Sequence, residues 1–251
     1  MTLLSALRVR ASQGTQYIAD VRRARPKGFV GLPIIAAGSC GACGACKDAC
    51  PTTAIRTDDD DVISLDLGRC TFCTACVDAC PSNKIAFTAE PKMAGVRRED
   101  LVVRAGAAQA QIKASSTFSS IFGRSLKMRQ VSAGGCNACE LELNATANVN
   151  FDVQRFGIEW VASPRHADAL VVTGPLTRNM KDAVRLAWDA MPDPRFVVAV
   201  GACAISGGLY EGAAGVDRAF FDTVGPALYV PGCPPHPLTF VNAILDLLAV
   251  R

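Results

Sequence analysis

The sequence predicts two unlike parts in series: an α+β part built from a duplicated unit with short hairpins, then an α/β part around a mostly parallel sheet. Three observations predict this. SCGACGACKDACPTTAI at 39–55 recurs as RCTFCTACVDACPSNKI at 69–85, thirty positions on, and such self-similarity marks a repeated structural unit. From about residue 127, the short apolar runs LKMRQVSAG, IEWVAS, ADALVVTG, RFVVAVG and ALYVPG each end near Gly or Ser. Helical patterns lie between or after them, in ELELNATAN, RNMKDAVRLAWDAM and PLTFVNAILDLLAV. Strands alternating with helices imply a parallel sheet covered on both faces.

The bulk properties fit this division. A chain of 251 residues suits one large domain or two modest ones. Half the residues are hydrophobic and a fifth are charged, so a packed core is expected rather than disorder. The net charge of +3 is too small to point to nucleic acid, and none is expected as a partner. MTLLSALRVR carries arginine where a secretory signal has its apolar stretch, and the Arg22–Arg23 pair is not followed by one. No run reaches the roughly 18 apolar residues of a membrane span. The expectation is a cytoplasmic chain with reduced thiols, in which clustered cysteine means metal.

Residues 1–88 comprise an arm and the repeat. Leu3, Leu4 and Leu7, then Tyr17, Ile18 and Val21, give a weak helical pattern with basic residues between. It reads as an amphipathic arm that docks on a partner subunit, with a membrane-surface anchor as the alternative. Between the repeats, Asp58 to Asp61 form an acidic turn beside the strand-like VISLDL. A solvated loop is its simplest reading, and a docking patch for a redox partner is the other. Residues 89–126, with AGAAQAQIKASSTFSS and a basic excess, read as a connector: a flexible tether, or a segment that orders only against a partner. Residues 127–251 form the α/β part. Ligands of such sheets bind beyond the carboxyl ends of the strands, where GGCNAC, GACA and PGCPP lie.

The twelve cysteines carry the chemistry. Cys40, Cys43, Cys46 and Cys50-Pro51 follow C-x2-C-x2-C-x3-C-P, and Cys70, Cys73, Cys76 and Cys80-Pro81 repeat it. This is the ligand spacing of [4Fe–4S] clusters, in which the fourth cysteine of each run binds the other cluster. The expected sets are therefore Cys40, Cys43, Cys46 with Cys80, and Cys70, Cys73, Cys76 with Cys50, in a two-cluster ferredoxin domain. Small residues in the loops (Gly41, Ala42, Gly44, Ala45, Ala75) let the backbone close on the cluster. Zinc, which takes two separated pairs of ligands, fits this pattern poorly. Cys136 and Cys139 form one C-x2-C, whereas Cys203 and Cys233 stand alone. By spacing alone, these four leave a cluster, a zinc site, a redox pair and buried thiols all open. Their placement at strand ends beside Gly134, Gly135, Gly201 and Gly232 favours a cluster.

GGCNACELELNA, then FDVQRFGIEWVASPRHADALVVTGPLT, GACAISGG and VPGCPPHP, resemble the small electron-transfer subunit of membrane-bound, energy-converting [NiFe] hydrogenases of the formate hydrogenlyase type. That family is related to the 20 kDa subunit of NADH:quinone oxidoreductase. The first half is similar to the polyferredoxin subunit of the same complexes, through KGFVGLP, LGRCTFC, KIAFTAE and REDLVVR. The chain thus resembles two neighbouring subunits fused end to end.

The resemblance implies a flavodoxin-like fold for 127–251. It implies that Cys136, Cys139, Cys203 and Cys233 hold a third [4Fe–4S] cluster beside a catalytic large subunit. It further implies membrane arm subunits, a ferredoxin or formate dehydrogenase-type electron donor, and a peripheral place on the inner face of the membrane. C-x2-C at 136–139 is the hydrogenase pattern; complex I relatives carry two adjacent cysteines there. A nickel-free complex I-like machine is the alternative, and a stand-alone carrier the third reading. Ala138 departs from the glycine usual in the family, at the expense of one methyl group near the cluster. Glu140 and Glu142 follow the cysteine, and the family places an acid at Glu142: a role in proton movement or partner contact is one reading, and a helix N-terminal acid stabilised by the dipole is the other. His166, in SPRHAD after Arg165, is expected to be structural or to support the cluster from behind. His236 is an unnecessary ligand, since four cysteines complete the set. Trp160 and Trp188 are expected in the core. GGLYEG lacks the patterns of nucleotide sites, so no NAD, flavin or ATP is expected.

Overall fold

A computed structural model of the chain describes residues 2–14, 16–41, 43–112, 116–123 and 125–250, with the side chain of residue 117 left out. Ala42 of the first loop and residues 113–115 and 124 of the expected connector lie outside the described residues.

The chain opens with α1 (Leu3–Gln13), started by the Thr2 hydroxyl, which accepts from Ser5 N–H at 3.3 Å, and stopped at Gly14. Then come β1 (Pro33–Ile35), α2 (Ala45–Asp48), β2 (Ile55–Thr57), β3 (Ile63–Asp66), α3 (Ala75–Asp78), β4 (Ile85–Phe87) and β5 (Val102–Arg104). Each sequence repeat becomes a cysteine loop, a one-turn helix and a strand. β1 pairs antiparallel with β4, and β2 with β3, so the two copies clasp each other at both ends. The acidic turn is built by its first residue: Asp58 Oδ1 accepts from Asp60 N–H (3.1 Å) and Val62 N–H (2.9 Å).

The tether expectation fails over its first half. β5 pairs with β3 at Ser64↔Arg104, and Leu101 and Val103 are buried in the core beside Met93. The physical reason is long-range pairing: residues 102–104 complete a three-stranded sheet. Further on, α4 (Ser116–Phe122) turns Phe118 and Phe122 against Phe196.

The remainder holds β6 (Leu126–Ser132), α5 (Ala138–Ala145), β7 (Ile158–Trp160), β8 (Ala169–Thr173), α6 (Lys181–Asp189), β9 (Phe196–Val200), α7 (Gly201–Ser206), α8 (Ala219–Thr223), β10 (Leu228–Val230) and α9 (Pro237–Leu247). All five expected strands form, in a parallel sheet ordered β10-β9-β8-β6-β7. This order is consistent with a flavodoxin-like doubly wound sheet, whose switch point falls between β6 and β8. β8 and β9 are buried at every position, as strands covered on both faces must be.

Both faces belong to large cores. Leu170, Val172, Val197 and Ala199 share one cluster with Ile63, Leu65, Leu101 and Val103 of the first part. Met128, Val171 and Val198 share the other with α9. The seam between the parts is tight: a Cβ on Gly68 would come within 2.6 Å of Ile205 Cγ2. Arg98 grips Asp66 with two bonds of 2.7 and 2.6 Å, and Arg69 pairs with Glu211.

The arm divides. Leu3, Leu4 and Leu7 of α1 are exposed, but the helix does not continue to Tyr17, Ile18 and Val21. That second stretch docks on its own chain. Asn242 Nδ2 donates to Val21 O at 2.9 Å, and the Arg22 guanidinium donates to Asn242 and pairs with Asp246, both on α9. Among the described residues, no helix is long and apolar enough to cross a membrane.

Candidate iron–sulfur centres

The structure brings the first eight cysteines into two groups. One cleft is lined by Cys40, Cys43, Cys46 and Cys80, and a second by Cys50, Cys70, Cys73 and Cys76. Each Cys-Pro turn presents its sulfur to the amide four residues on: Ala54 N–H donates to Cys50 Sγ at 3.2 Å, and Lys84 N–H to Cys80 Sγ at 3.3 Å. Phe72 N–H donates to Cys70 Sγ at 3.3 Å. The Lys84 ammonium also holds the loop before Cys40, donating to Gly38 O (3.0 Å) and Ser39 O (2.6 Å).

The last four cysteines come from four segments at the carboxyl edge of the parallel sheet. Cys136 follows β6, Cys139 lies in α5, Cys203 in α7 after β9, and Cys233 after β10. Backbone approach is close: Gly201 stands at φ +88°, and a Cβ there would meet Cys139 Sγ at 2.7 Å. Ala202 N–H donates to Gly232 O at 2.9 Å, tying the Cys203 and Cys233 loops together.

A local motif repeats in all three sets. Cys43-Gly44-Ala45-Cys46, Cys73-Thr74-Ala75-Cys76 and Cys136-Asn137-Ala138-Cys139 share the pattern C-x-A-C. In each, the second residue is left-handed (φ +63°, +61° and +70°) and caps a helix that begins at the alanine. The sequence carried this signal, but spacing alone did not reveal it. Ala138, which departs from the family's usual glycine, is the first residue of α5, as Ala45 and Ala75 are of their helices.

The thiols sense one another in the same sets. Burial, then Cys80 and Cys40, push the Cys46 thiol up. Burial takes Cys70 up to about 12 and Cys76 to about 11, with Cys50 and Cys73 adding to both. Burial raises Cys139, helped by Glu140, Cys203, Cys233 and Cys136, and takes Cys203 to about 11 with Cys233 and Cys136 adding. Cys80 goes the other way: burial raises it, but the amides of Lys84, Ser82, Ile85 and Asn83 outweigh that and lower it. Two influences cross between sets: Cys46 acts on Cys76, and Cys73 acts on Cys233. Thiols raised in this way stay protonated near neutrality and would release protons on binding metal. Among the described residues, no group of three or more His, Cys, Asp or Glu converges on a point that would hold a single ion. In the first two sets the cysteines line clefts, and the amide donors to Cys50, Cys70 and Cys80 and the left-handed turns suit a polynuclear cluster.

The other candidates separate. His236 caps α9, its Nδ1 accepting from Leu238 N–H at 3.1 Å, with its ring against Phe29 and Phe151. Burial lowers its pKa. Arg165 and His166 are exposed in a short turn. Trp160 is partly buried, donating to Thr146 Oγ1 at 3.0 Å and stacking on Phe240, and Trp188 lies under Arg195. Glu142 is partly buried, which raises its carboxyl pKa. Glu140 is buried and accepts from Thr173 Oγ1 at 2.6 Å. Sequence reading missed Arg218, which carries no motif; it donates to Cys203 O (3.2 Å), Ala204 O (2.8 Å) and Ile205 O (2.8 Å) at the end of α7.

Residues 39–84 match a 4Fe-4S dicluster domain, and residues 136–247 match the NADH ubiquinone oxidoreductase, 20 Kd subunit family. A probable membrane-bound hydrogenase subunit of Pyrococcus furiosus is 37% identical over 49% of this chain and 74% of its own length. Formate hydrogenlyase subunit 7 of Escherichia coli is 45% identical over 45% of each chain. NADH-quinone oxidoreductase subunit 6 of Thermus thermophilus is 42% identical over 45% of this chain and 62% of its own length. The chain belongs to the family of the 20 kDa subunit of NADH:ubiquinone oxidoreductase, and it carries a dicluster domain ahead of that region.

Proposed function

We propose that this chain is the iron–sulfur electron-transfer subunit of a membrane-associated, energy-converting [NiFe] hydrogenase of the formate hydrogenlyase type. One observation carries the reading: all twelve cysteines gather into three groups of four. Cys40, Cys43, Cys46 and Cys80 would hold one [4Fe–4S] cluster. Cys50, Cys70, Cys73 and Cys76 would hold the second, and Cys136, Cys139, Cys203 and Cys233 the third. Each such cluster supplies one-electron redox chemistry at a potential set by hydrogen bonds to sulfur, charge and burial.

Arg69, the residue before Cys70, reaches Glu211 just beyond the helix that carries Cys203, which supports a linear order with the second set in the middle. We divide the chain accordingly into a ferredoxin-like part that extends through β5 and a flavodoxin-like part from β6. Cys43 is exposed at one end of this order and Cys136 and Cys233 at the other. The first end suits a ferredoxin or formate dehydrogenase-type donor, and the second a catalytic large subunit anchored through membrane arm subunits. C-x2-C at 136–139 favours the hydrogenase reading over a nickel-free complex I-like one.

The test is metal analysis of the native complex, isolated without oxygen through a tag on this chain. Nickel near one per complex, with iron above about twelve per copy of this chain, supports the hydrogenase. Iron without nickel transfers the assignment to the nickel-free relative.

A further inference from the structure

Glu140 is an acid where the fold least favours one. It is 5% exposed and reaches the carboxyl ends of β6 and β8 at the switch point of the sheet. Its partner there, Thr173, is fully buried, donates to Glu140 Oε1 at 2.6 Å and also reaches Val131 O at 3.4 Å. Among the described residues, no Lys, Arg or His forms an ion pair with it. A buried acid without a cationic partner is costly, and one hydroxyl and the first turn of α5 offset only part of that cost. Its neighbour in the chain is Cys139, and its Oε1 lies 3.9 Å from where a Cβ on Gly135, the residue before Cys136, would stand.

We propose that Glu140 is a positioning residue that holds down the reduction potential of the group bound by Cys136, Cys139, Cys203 and Cys233, through the field of its buried carboxylate. The inference rests on the reading that this set binds a cluster. A fixed negative charge disfavours an added electron, and burial leaves that effect poorly screened. Among the described residues, the first two sets have no comparably buried acid: Lys47 and Val77 follow Cys46 and Cys76, and the next acids, Asp48 and Asp78, are exposed. The field would therefore separate the third potential from the other two.

The test is a redox titration followed by electron paramagnetic resonance on the full chain, isolated without oxygen with its copurifying subunits. The third signal is assigned by its loss in Cys233→Ser. Glu140→Gln keeps the acceptor for Thr173 and removes the charge. It is expected to raise the third reduction equilibrium constant about tenfold, or about 59 mV for one electron, and to leave the other two unmoved. Glu140→Asp, which retains the charge, is expected to stay near the wild-type value. An unmoved third potential in Glu140→Gln would overturn the proposal, as would equal shifts in both variants or loss of the signal in Glu140→Gln. A wild-type chain with no signal that Cys233→Ser removes would instead overturn the reading of the third set, and the role of Glu140 with it.

Discussion

Replacing Gly201 with alanine tests the third centre through a single methyl group. Gly201 opens α7 immediately after β9, at φ +88°. An added Cβ would lie 2.7 Å from Cys139 Sγ, 3.6 Å from Gly232 O and 3.8 Å from Pro235 Cδ. A positive φ costs an L-residue about 1–2 kcal/mol, and forcing a methyl into packed atoms adds about 1–3 kcal/mol. The total of about 2–5 kcal/mol corresponds to a fall of about 4–20 °C in melting temperature for a chain of this size. The shortest contact is with a ligand sulfur, so part of that strain is relieved by moving Cys139. Gly201→Ala should therefore lose the third centre while keeping the first two, taking iron from about twelve to about eight per chain. Iron determination, spin quantitation and a thermal melt on protein prepared without oxygen measure this together. Full iron, a wild-type spectrum and an unmoved melt would refute the geometry argued for Cys139.

The crossed ligation separates two further variants: Cys80→Ser should disturb the centre of Cys40, Cys43 and Cys46, and Cys50→Ser that of Cys70, Cys73 and Cys76, as two distinct losses in the spectrum. Arg218→Met removes the donor to three carbonyls at the end of α7. At about 1.5–3 kcal/mol for each hydrogen bond to a charged group, it should lower the melting temperature and weaken retention of the third centre in a chelator challenge. His236 is held neutral by burial, with its pKa below the ordinary 6.5. Its contribution to stability is complete above 6.5 and is lost as the pH falls below that value toward the folded one. His236→Asn keeps a capping acceptor and does not titrate, so wild type should lose stability relative to this variant as the pH is lowered through 6. Parallel melts of the two proteins would contradict that assignment.

Local signals were legible in the sequence, and long-range ones were not. The repeat and the five strands follow from spacing and periodicity, which short stretches of chain carry by themselves. The segment REDLVVR was misread as part of a tether because its inward residues, Leu101 and Val103, are few and flanked by charge. Its meaning comes from β3, forty positions earlier, and no local pattern reports that pairing. Arg218 was invisible for the same reason: the carbonyls it holds lie 13 to 15 residues away, and nothing in RAFFDT marks them. The arm shows both cases at once. Its first helix reads as amphipathic and stands exposed, while Val21 and Arg22 are claimed by α9 from the far end of the chain.

The seam between the two parts bears on function more than either part alone. A flexible tether would let the second and third cysteine sets drift apart, and electron transfer between them would then depend on linker length. The structure joins them differently. Gly68 stands where any side chain would strike Ile205, and Arg98 locks the strand end at Asp66 while it packs on the same glycine. Arg69, next to Cys70, reaches Glu211 beyond α7, the helix that carries Cys203. Gly95 bridges to Tyr229 on β10, four residues before Cys233. Gly68 and Arg69 tie the segment before Cys70 to α7 and the residues after it, Gly95 ties the first part to β10, and Arg98 holds the first part's own side of the seam. The spacing of the two centres is therefore set by packed backbone and ion pairs, and covalent fusion supplies only the stoichiometry.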